Sequence, residues 1–291
     1  MPSLDDLKKR IKSVKSTQKI TKAMKMVAAA KLRKAQENAE RGRPYSQKMQ
    51  NIILNLTKSI NDPSNAPKLL VGTGVDKTYL CVVLTADRGL CGGFNSNICK
   101  LAKAKFKKIL SEEKNLKIIT VGSKGLDQIK REYGKYIIKK FSFKDKKQIS
   151  FNEATIIGKE IINLFYQKEF DKCLLFYNNF KNVITQIPQS QQIIPAEIIS
   201  ESKSDNNNLY EFEPDEDEIL EDLLPKNIST QIFKAFLENA ASEQGSRMTA
   251  MDNATRNAGD LVDKLTINYN RSRQASITKE LIEIISGAES L

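Results

Sequence analysis

Hydrophobic residues in the first part of the chain recur at helical spacing. Apolar residues at the three-four spacing of a coiled-coil seam open the pattern: Leu4, Leu7, Ile11 and Val14. Ser3 is placed to cap the helix, and two aspartates follow in the first turn, where the helix dipole favours acidic side chains. An apolar stripe continues through Ile20, Met24, Val27, Ala28, Leu32, Ala35 and Ala39, and resumes with Tyr45, Met49, Ile52, Ile53, Leu56 and Ile60. We therefore predict a helix over residues 1–60.

A Gly-Arg-Pro sequence at residues 42–44 lies inside this pattern. Pro44 has no backbone N–H, and its ring clashes with the carbonyl of the preceding turn. We therefore expect the helix to bend at this point or to divide in two.

The end of the chain, residues 225–291, shows the same periodicity. Its apolar positions keep to one side of a helix, with interruptions at Gln244 and Ser272: Phe233, Phe236, Leu237, Ala240, Met248, Met251, Ala254, Ala258, Leu261, Val262 and Leu265. Each terminal helix would span about 85–90 Å at ~1.5 Å per residue, roughly twice the width of a domain of this mass. Each stripe needs a partner, so we predict an antiparallel coiled coil of the two helices.

Between these helices the pattern alternates between strand-like and helix-like segments. Runs rich in Val, Ile, Leu and aromatic residues predict strands at 79–86, 116–122, 136–141, 173–177 and 183–188. Intervening segments predict helices at 97–111, 124–133 and 151–167. This alternation is typical of an α/β fold with a mainly parallel, doubly wound sheet. We assign residues 77–200 to this domain, 61–76 to a linker and the acidic residues 201–224 to a surface loop.

Charge is distributed unevenly along the chain, whose formal net charge is +12. Residues 1–58 hold fifteen basic against four acidic residues, residues 201–225 hold one against ten, and residues 226–291 hold eight of each. Such asymmetry suggests that the first helix runs past acidic partners, either protein or nucleic acid.

The composition also limits the chemistry. The chain contains no His, which is the commonest general base and transition-metal ligand, and we expect no catalytic residue, cofactor or metal. The four cysteines form no C-x-x-C pair, so we expect reduced thiols. No run reaches the length of a membrane span, and the first residues lack the features of a signal or transit peptide.

The most enzyme-like segment is the glycine-rich stretch at residues 87–94, Asp-Arg-Gly-Leu-Cys-Gly-Gly-Phe. It follows a predicted strand and precedes a predicted helix, where dinucleotide-binding loops occur. Gly89, Gly92 and Gly93 do not form G-x-G-x-x-G, however, and the chain has no phosphate-loop motif. A tight turn against another chain is the favoured interpretation. Cys91 is expected to be a buried small residue rather than a reactive thiol.

Two alternatives to a protein-binding coiled coil remain open. The basic first helix is compatible with nucleic-acid binding, although no aromatic residue lies among its lysines and these spread round the helix: Lys8, Lys9, Lys12, Lys15, Lys19, Lys22 and Lys25. A small-molecule enzyme built on the α/β domain is the second alternative, and it predicts saturable nucleotide binding.

The last helical segment carries apolar residues on more than one face: Ile277, Leu281, Ile282, Ile284 and Ile285. We call these five residues the apolar tip. A helix end of this kind is not suited to water, so we expect other protein to enclose it. Folding back onto its own domain is the alternative.

Four segments resemble signatures of the F-type ATP synthase gamma-subunit family. They follow one another in the family's order: KITKAMKMVAAAKL at 19–32, DRGLCGGFN at 87–95, SEQ with RMTAMDNATRNA within 242–258, and NRSRQASITKELIEIISGA at 270–288. The resemblance extends from residue 1 to residue 291, and the two terminal segments are its most specific part.

The resemblance implies a coiled coil of the terminal helices and a Rossmann-like middle domain without a nucleotide. The coiled coil would stand inside a ring of three alpha and three beta subunits and drive their three catalytic sites into different states as it turns. The middle domain would sit with the epsilon subunit on the membrane ring of c subunits, which proton flow turns. The chain would then be a non-catalytic subunit of a proton-translocating ATP synthase, without a cofactor.

Partner contacts are also implied by the resemblance. Arg273 and Gln274 would bond a beta-subunit loop, and Met24 would pass an acidic beta-subunit lever. The residues assigned to the alpha and beta ring are Lys22, Met24, Lys25, Arg273, Gln274, Thr278 and Glu280, and those assigned to the c ring and epsilon are Tyr210, Glu211 and Glu213. The chain has no regulatory dithiol insertion of the plastid kind, which favours a bacterial protein on the cytoplasmic side of the inner membrane.

Overall fold

The computed structural model describes residues 3–59, 67–146, 149–196 and 216–289. Its helices are α1 (Leu4–Ser59), α2 (Lys68–Val71), α3 (Phe94–Ser111), α4 (Ser123–Tyr133), α5 (Phe151–Tyr166) and α6 (Glu216–Glu289), with a 3-10 turn at Gly134–Tyr136. Its strands are β1 (Thr78–Leu84), β2 (Asn115–Val121), β3 (Ile137–Phe141), β4 (Lys172–Phe180) and β5 (Gln186–Ile194). The residues form two compact units: a sheet unit, 31–246, and a coiled-coil unit, 1–30 with 247–291.

The sheet has the strand order β3-β2-β1-β4-β5. The first four strands run parallel, and β5 is antiparallel to β4. This confirms the predicted α/β fold with a mainly parallel sheet. β5 is displaced from the predicted strand at 183–188, and the predicted linker contains the short helix α2.

Both faces of the sheet are covered, because successive residues of a strand point to opposite sides. In β1, Leu80, Val82 and Leu84 join a core with residues of α1, α5 and α6. The alternate residues, from Tyr79 to Val83, join a second core with α3 and α4. A central strand buried on both faces reads as a continuous apolar run, which explains why β1 was recognisable in the sequence.

The C-terminal helix begins at Glu216, ahead of the predicted start at residue 225 and within the predicted acidic loop. Leu220, Leu224 and Ile228 are buried and repeat every four residues, so that they form one apolar stripe that packs on the core. Pro225 lies inside the helix. The many acidic residues of this segment obscured the stripe in the sequence.

Helix α1 continues through residues 42–44 and is not divided there. A Cβ atom at Gly42 would lie 2.9 Å from Cδ1 of Leu237 on α6, which is closer than real contacts allow. Glycine at this position therefore allows α1 and α6 to approach each other closely within the sheet unit.

In the coiled-coil unit, α1 and α6 pack antiparallel. Thr21 is hydrogen-bonded to Thr255, and Lys25 is paired with Asp252, so positions rise along α1 as they fall along α6. The predicted antiparallel coiled coil is confirmed. Its buried and half-buried positions repeat every seven residues, as in a coiled coil: Leu7, Val14, Thr21 and Ala28 on α1, and Met251, Ala258, Leu265 and Ser272 on α6.

The seam differs from the apolar stripe that the sequence predicted on α1. Ile20 and Val27, both assigned to the stripe, are 57% and 55% exposed. The polar Thr21 lies in the seam instead, because the Thr255 hydroxyl donates to Thr21 Oγ1 at 2.8 Å and satisfies both side chains. Polar residues that pair across a seam do not show in a search for hydrophobic spacing.

Candidate functional site

The glycine-rich stretch forms the loop that follows β1 at the carboxyl end of the sheet. The Asp87 carboxylate holds this loop against its neighbours, since it accepts hydrogen bonds from the Ser123 N–H at 2.8 Å, the Ser142 hydroxyl at 2.8 Å and the Phe143 N–H at 3.0 Å. The Ser123 hydroxyl donates in turn to the Asp87 carbonyl at 2.9 Å. One aspartate thus ties together the ends of three neighbouring strands.

The start of α4 is engaged by the same loop. In dinucleotide-binding folds, helix N–H groups at a sheet's carboxyl end bind phosphate. Here the Gly125 N–H donates to Thr85 Oγ1 at 2.9 Å and the Lys124 N–H to the Ala86 carbonyl at 3.1 Å. A Cβ atom at Gly122 would lie only 2.3 Å from the Thr85 carbonyl oxygen. The chain's own atoms therefore occupy the place and use the donors that a phosphate would need at α4.

Cys91 is buried, as predicted. The Asn95 side chain donates to its sulfur at 3.2 Å, and the Ser246 hydroxyl on α6 donates to its backbone carbonyl at 2.7 Å. The neighbouring Leu90 has φ of +62° and is well exposed. The turn predicted from the glycines therefore exists, and its described contacts, which include α6 and the loops that follow β2 and β3, are with other parts of the same chain.

The three residues of α1 that were predicted to contact the alpha and beta subunits differ in their surroundings. Lys22 is exposed and Met24 is half-buried. The Lys25 ammonium already has an acidic partner, Asp252 Oδ1, at 2.5 Å. Hydrogen bonds from Lys25 and from Arg256 hold the pKa of the Asp252 carboxyl below its ordinary value. This carboxylate is therefore charged at neutral pH and neutralises part of the basic surface of α1.

The predicted contacts on α6 all lie on exposed helix: Arg273, Gln274, Thr278 and Glu280. The apolar tip lies in the same segment, and its five side chains are between 48% and 68% exposed. The Thr21–Thr255 and Lys25–Asp252 pairs set the register of the two helices. In this register Leu4, the first residue of α1, lies opposite Arg273. The apolar tip therefore extends beyond the end of α1. The remaining predicted contacts, Tyr210, Glu211 and Glu213, lie outside the described residues.

Sequence reasoning missed a buried polar cluster in the sheet unit. The Glu238 carboxylate on α6 accepts hydrogen bonds from Arg43 on α1 and from the backbone of Phe180 at the end of β4. Arg43 lies between the glycine and the proline that were interpreted as a bend. The three residues are far apart in sequence, and no spacing rule connects them.

Neither a metal site nor a membrane span is evident in the described parts of the chain. No group of three or more Asp, Glu and Cys side chains within them is arranged to hold a metal ion. None of their helices is both long and apolar enough to cross a membrane.

Comparison with known proteins accounts for the whole chain. A family model described as ATP synthase matches residues 3–291. The ATP synthase gamma chain of Pelagibacter ubique is 72% identical over 291 residues, which cover all of both chains. That of Rhizobium leguminosarum is 58% identical over 294 aligned positions, again over all of both chains.

Solved structures give the same result for the fold. A chain of the central stalk and c ring of the Tetrahymena thermophila mitochondrial ATP synthase has a TM-score of 0.62 and 27% identity, over 81% of this chain and 99% of that one. A chain of the Euglena gracilis mitochondrial ATP synthase has a TM-score of 0.68 over 99% of this chain and 94% of that one, and its 20% identity supports the fold alone. The chain belongs to the ATP synthase gamma-chain family.

Proposed function

We propose that this chain is the central-stalk rotor of a proton-translocating ATP synthase. It transmits torque between a c-subunit ring, which proton flow turns, and the catalytic sites of a ring of three alpha and three beta subunits. It contributes no catalytic residue and binds no cofactor. The observation that carries the proposal is the exposed apolar tip on a chain of the gamma family, since such a surface requires an enclosing partner.

The partner contacts are proposed on two surfaces. At the C-terminal end of α6, Arg273 and Gln274 bond a beta-subunit loop, and Thr278 and Glu280 face the same ring. On α1, Lys22 and Met24 pass an acidic part of a beta subunit. The internal pair with Asp252 leaves Lys25 a weaker candidate for that contact than Lys22.

The sheet unit is proposed to stand with the epsilon subunit on the c ring, through Tyr210, Glu211 and Glu213. The complex places the chain at the cytoplasmic side of a bacterial inner membrane as a peripheral subunit. The family relationship gives no support to nucleic-acid binding, and at the start of α4 the N–H groups of Lys124 and Gly125 are bonded within the chain and are not available to a phosphate.

Reconstitution with purified alpha and beta subunits tests the proposal. We expect the chain to restore steady ATP hydrolysis to subunits that lack it, and a chain that leaves the rate at background would disprove the rotor function.

Arg273→Ala is expected to weaken assembly by about ten- to a hundredfold, because a partner acceptor loses a charged donor worth ~1.5–3 kcal/mol. Arg131→Ala, which removes the same charge from the exposed surface of α4, is the matched control.

A further inference from the structure

Three elements of the sheet unit meet at one buried carboxylate. Glu238 on α6 is 3% exposed. Its two oxygens accept from Arg43 on α1 in a bidentate pair, with Nε to Oε1 at 2.9 Å and Nη2 to Oε2 at 3.2 Å. Oε2 also accepts from the Phe180 N–H at 3.1 Å. Phe180 is the last residue of β4, so the carboxylate joins both long helices to the sheet.

The strand is held from both helices at the same residue. Arg43 Nη2 donates to the Phe180 carbonyl at 3.4 Å, while Glu238 accepts from the Phe180 N–H. Two residues earlier, the Asn178 N–H donates to Asn239 Oδ1 at 3.1 Å, and the Ser242 hydroxyl donates to the Asn178 carbonyl at 3.3 Å. We call these six residues the buried joint: Arg43, Asn178, Phe180, Glu238, Asn239 and Ser242.

The strand register explains why side chains from α6 are needed here. The pairing of β4 with β1 ends at Phe176, whereas its pairing with β5 continues to Phe180. The backbone groups of Asn178 and Phe180 on the β1 side therefore have no strand partner. Buried backbone polar groups must be hydrogen-bonded. Side chains of α6 supply three of the missing partners, and Arg43 of α1 supplies the fourth, at the Phe180 carbonyl.

The bonds of the buried joint are directional, unlike the apolar contacts around them. Hydrophobic burial depends on area and resists a small rotation of a helix about its axis only weakly. A bidentate guanidinium–carboxylate pair fixes both distance and orientation, and removal of Arg43 leaves the buried Glu238 carboxylate without its charged partner. Gly42, next to Arg43, lies against the side chain of Leu237, which precedes Glu238 on α6.

We propose that the buried joint is the site at which torque passes between the β-sheet and the segments of α1 and α6 that pack on it within the sheet unit. The inference rests on the proposed rotor function. The same two helices build the coiled-coil unit, and the sheet unit is the part proposed to stand on the c ring. Under load, rotation of the sheet against these helix segments strains the directional bonds of Arg43 and Glu238, which link both helices to one strand.

The test uses the complete ATP synthase in membrane vesicles with Glu238→Gln or Arg43→Met in this chain. We measure ATP hydrolysis, ATP-driven proton pumping and ATP synthesis against increasing proton gradients. We expect hydrolysis to stay within twofold of wild type, while protons pumped per ATP fall at least threefold at the highest gradient and much less at the lowest. Arg43→Lys, which keeps the charge but not the bidentate geometry, is expected to fall between wild type and Arg43→Met.

The matched control is Glu132→Gln, which breaks the 2.5 Å ion pair with Lys103 between α3 and α4 of the same unit and is expected to leave coupling unchanged. If hydrolysis, pumping and synthesis fall in the same proportion in the joint variants, or if coupling does not depend on load, the proposal is wrong. Should Glu238→Gln fail to assemble, Ser242→Ala removes a single hydrogen bond and is judged by the same criterion. Failure of the wild-type chain itself to support coupled turnover would instead disprove the rotor function.

Discussion

Asp87 offers a direct test of the closed loops at the carboxyl end of the sheet. Its carboxylate accepts from two backbone N–H groups, those of Ser123 and Phe143, and from the Ser142 hydroxyl. Asp87→Ala removes all three bonds. If the loops are closed by this residue, the variant should lose stability locally.

The expected magnitude follows from the number and kind of these bonds. A hydrogen bond to a charged group contributes about 1.5–3 kcal/mol when buried, and we take the low end because Ser123 and Phe143 are half-buried. A negative charge at the first turn of α4 adds about 0.3–1 kcal/mol. The two backbone bonds and this term together predict that Asp87→Ala lowers the free energy of unfolding by about 3–4 kcal/mol. Asp87→Asn keeps one acceptor oxygen and should cost about half as much.

Urea unfolding of the full chain, followed by circular dichroism, measures the cost. Hydrogen exchange at the Ser123 and Phe143 amides shows whether the loss is local. Asp127→Asn is the matched control, because Asp127 is an exposed α4 residue that pairs with Lys124 at 3.2 Å, and its loss should cost less than about 1 kcal/mol. The reasoning fails if Asp87→Ala costs no more than this control and both amides keep their protection.

Three further predictions concern individual residues. Gly122 has φ of +94° and a Cβ there would clash with the Thr85 carbonyl, so Gly122→Ala should cost about 2–5 kcal/mol, and an unchanged melting temperature would contradict this. Hydrogen bonds from the hydroxyl and the backbone N–H of Ser150 hold the pKa of Glu153 at about 2, below its ordinary value of 4.5. The carboxylate therefore stabilises the fold fully above pH 4.5, and the stability difference between wild type and Glu153→Gln should shrink as the pH falls through about 2; a difference that does not depend on pH would argue against the assignment. Leu281→Ser with Ile284→Ser should change the stability of the isolated chain by less than about 1 kcal/mol, since both are exposed, but should weaken binding to alpha and beta subunits in a pull-down; undiminished binding would exclude the tip as a contact.

The sheet could be predicted because its strands carry a strong local signal. β1 is buried on both faces, and its run Tyr-Leu-Cys-Val-Val-Leu contains no polar residue. The coiled coil was also predictable, since Leu4, Leu7, Ile11 and Val14 repeat at heptad spacing. These patterns depend on residues close together in the chain.

The rest depends on contacts between distant residues. Thr21 lies in the seam only because Thr255 faces it, and Asp87 is recognisable as a structural residue only once Ser142 and Phe143 are seen beside it. The start of α6 was missed because its buried leucines lie among acidic residues. A search that tolerates one polar residue per heptad, provided that the opposite helix offers a hydrogen-bonding partner, would have found the seam through Thr21.

The pairing of Lys25 with Asp252 also constrains how the chain is made. These two residues are separated by 227 positions, so the second helix of the coiled coil is synthesised long after the first. At about 5–20 residues per second, the interval between them is on the order of 10–45 s. During that time the N-terminal helix has its seam exposed to solvent, while the sheet unit, whose strands are nearer in sequence, can begin to fold. The coil closes last, because contacts of such long sequence separation are slow to form. The exposed seam of the first helix is open to aggregation during this interval, and the positive charge of the same helix opposes aggregation by keeping neighbouring copies apart.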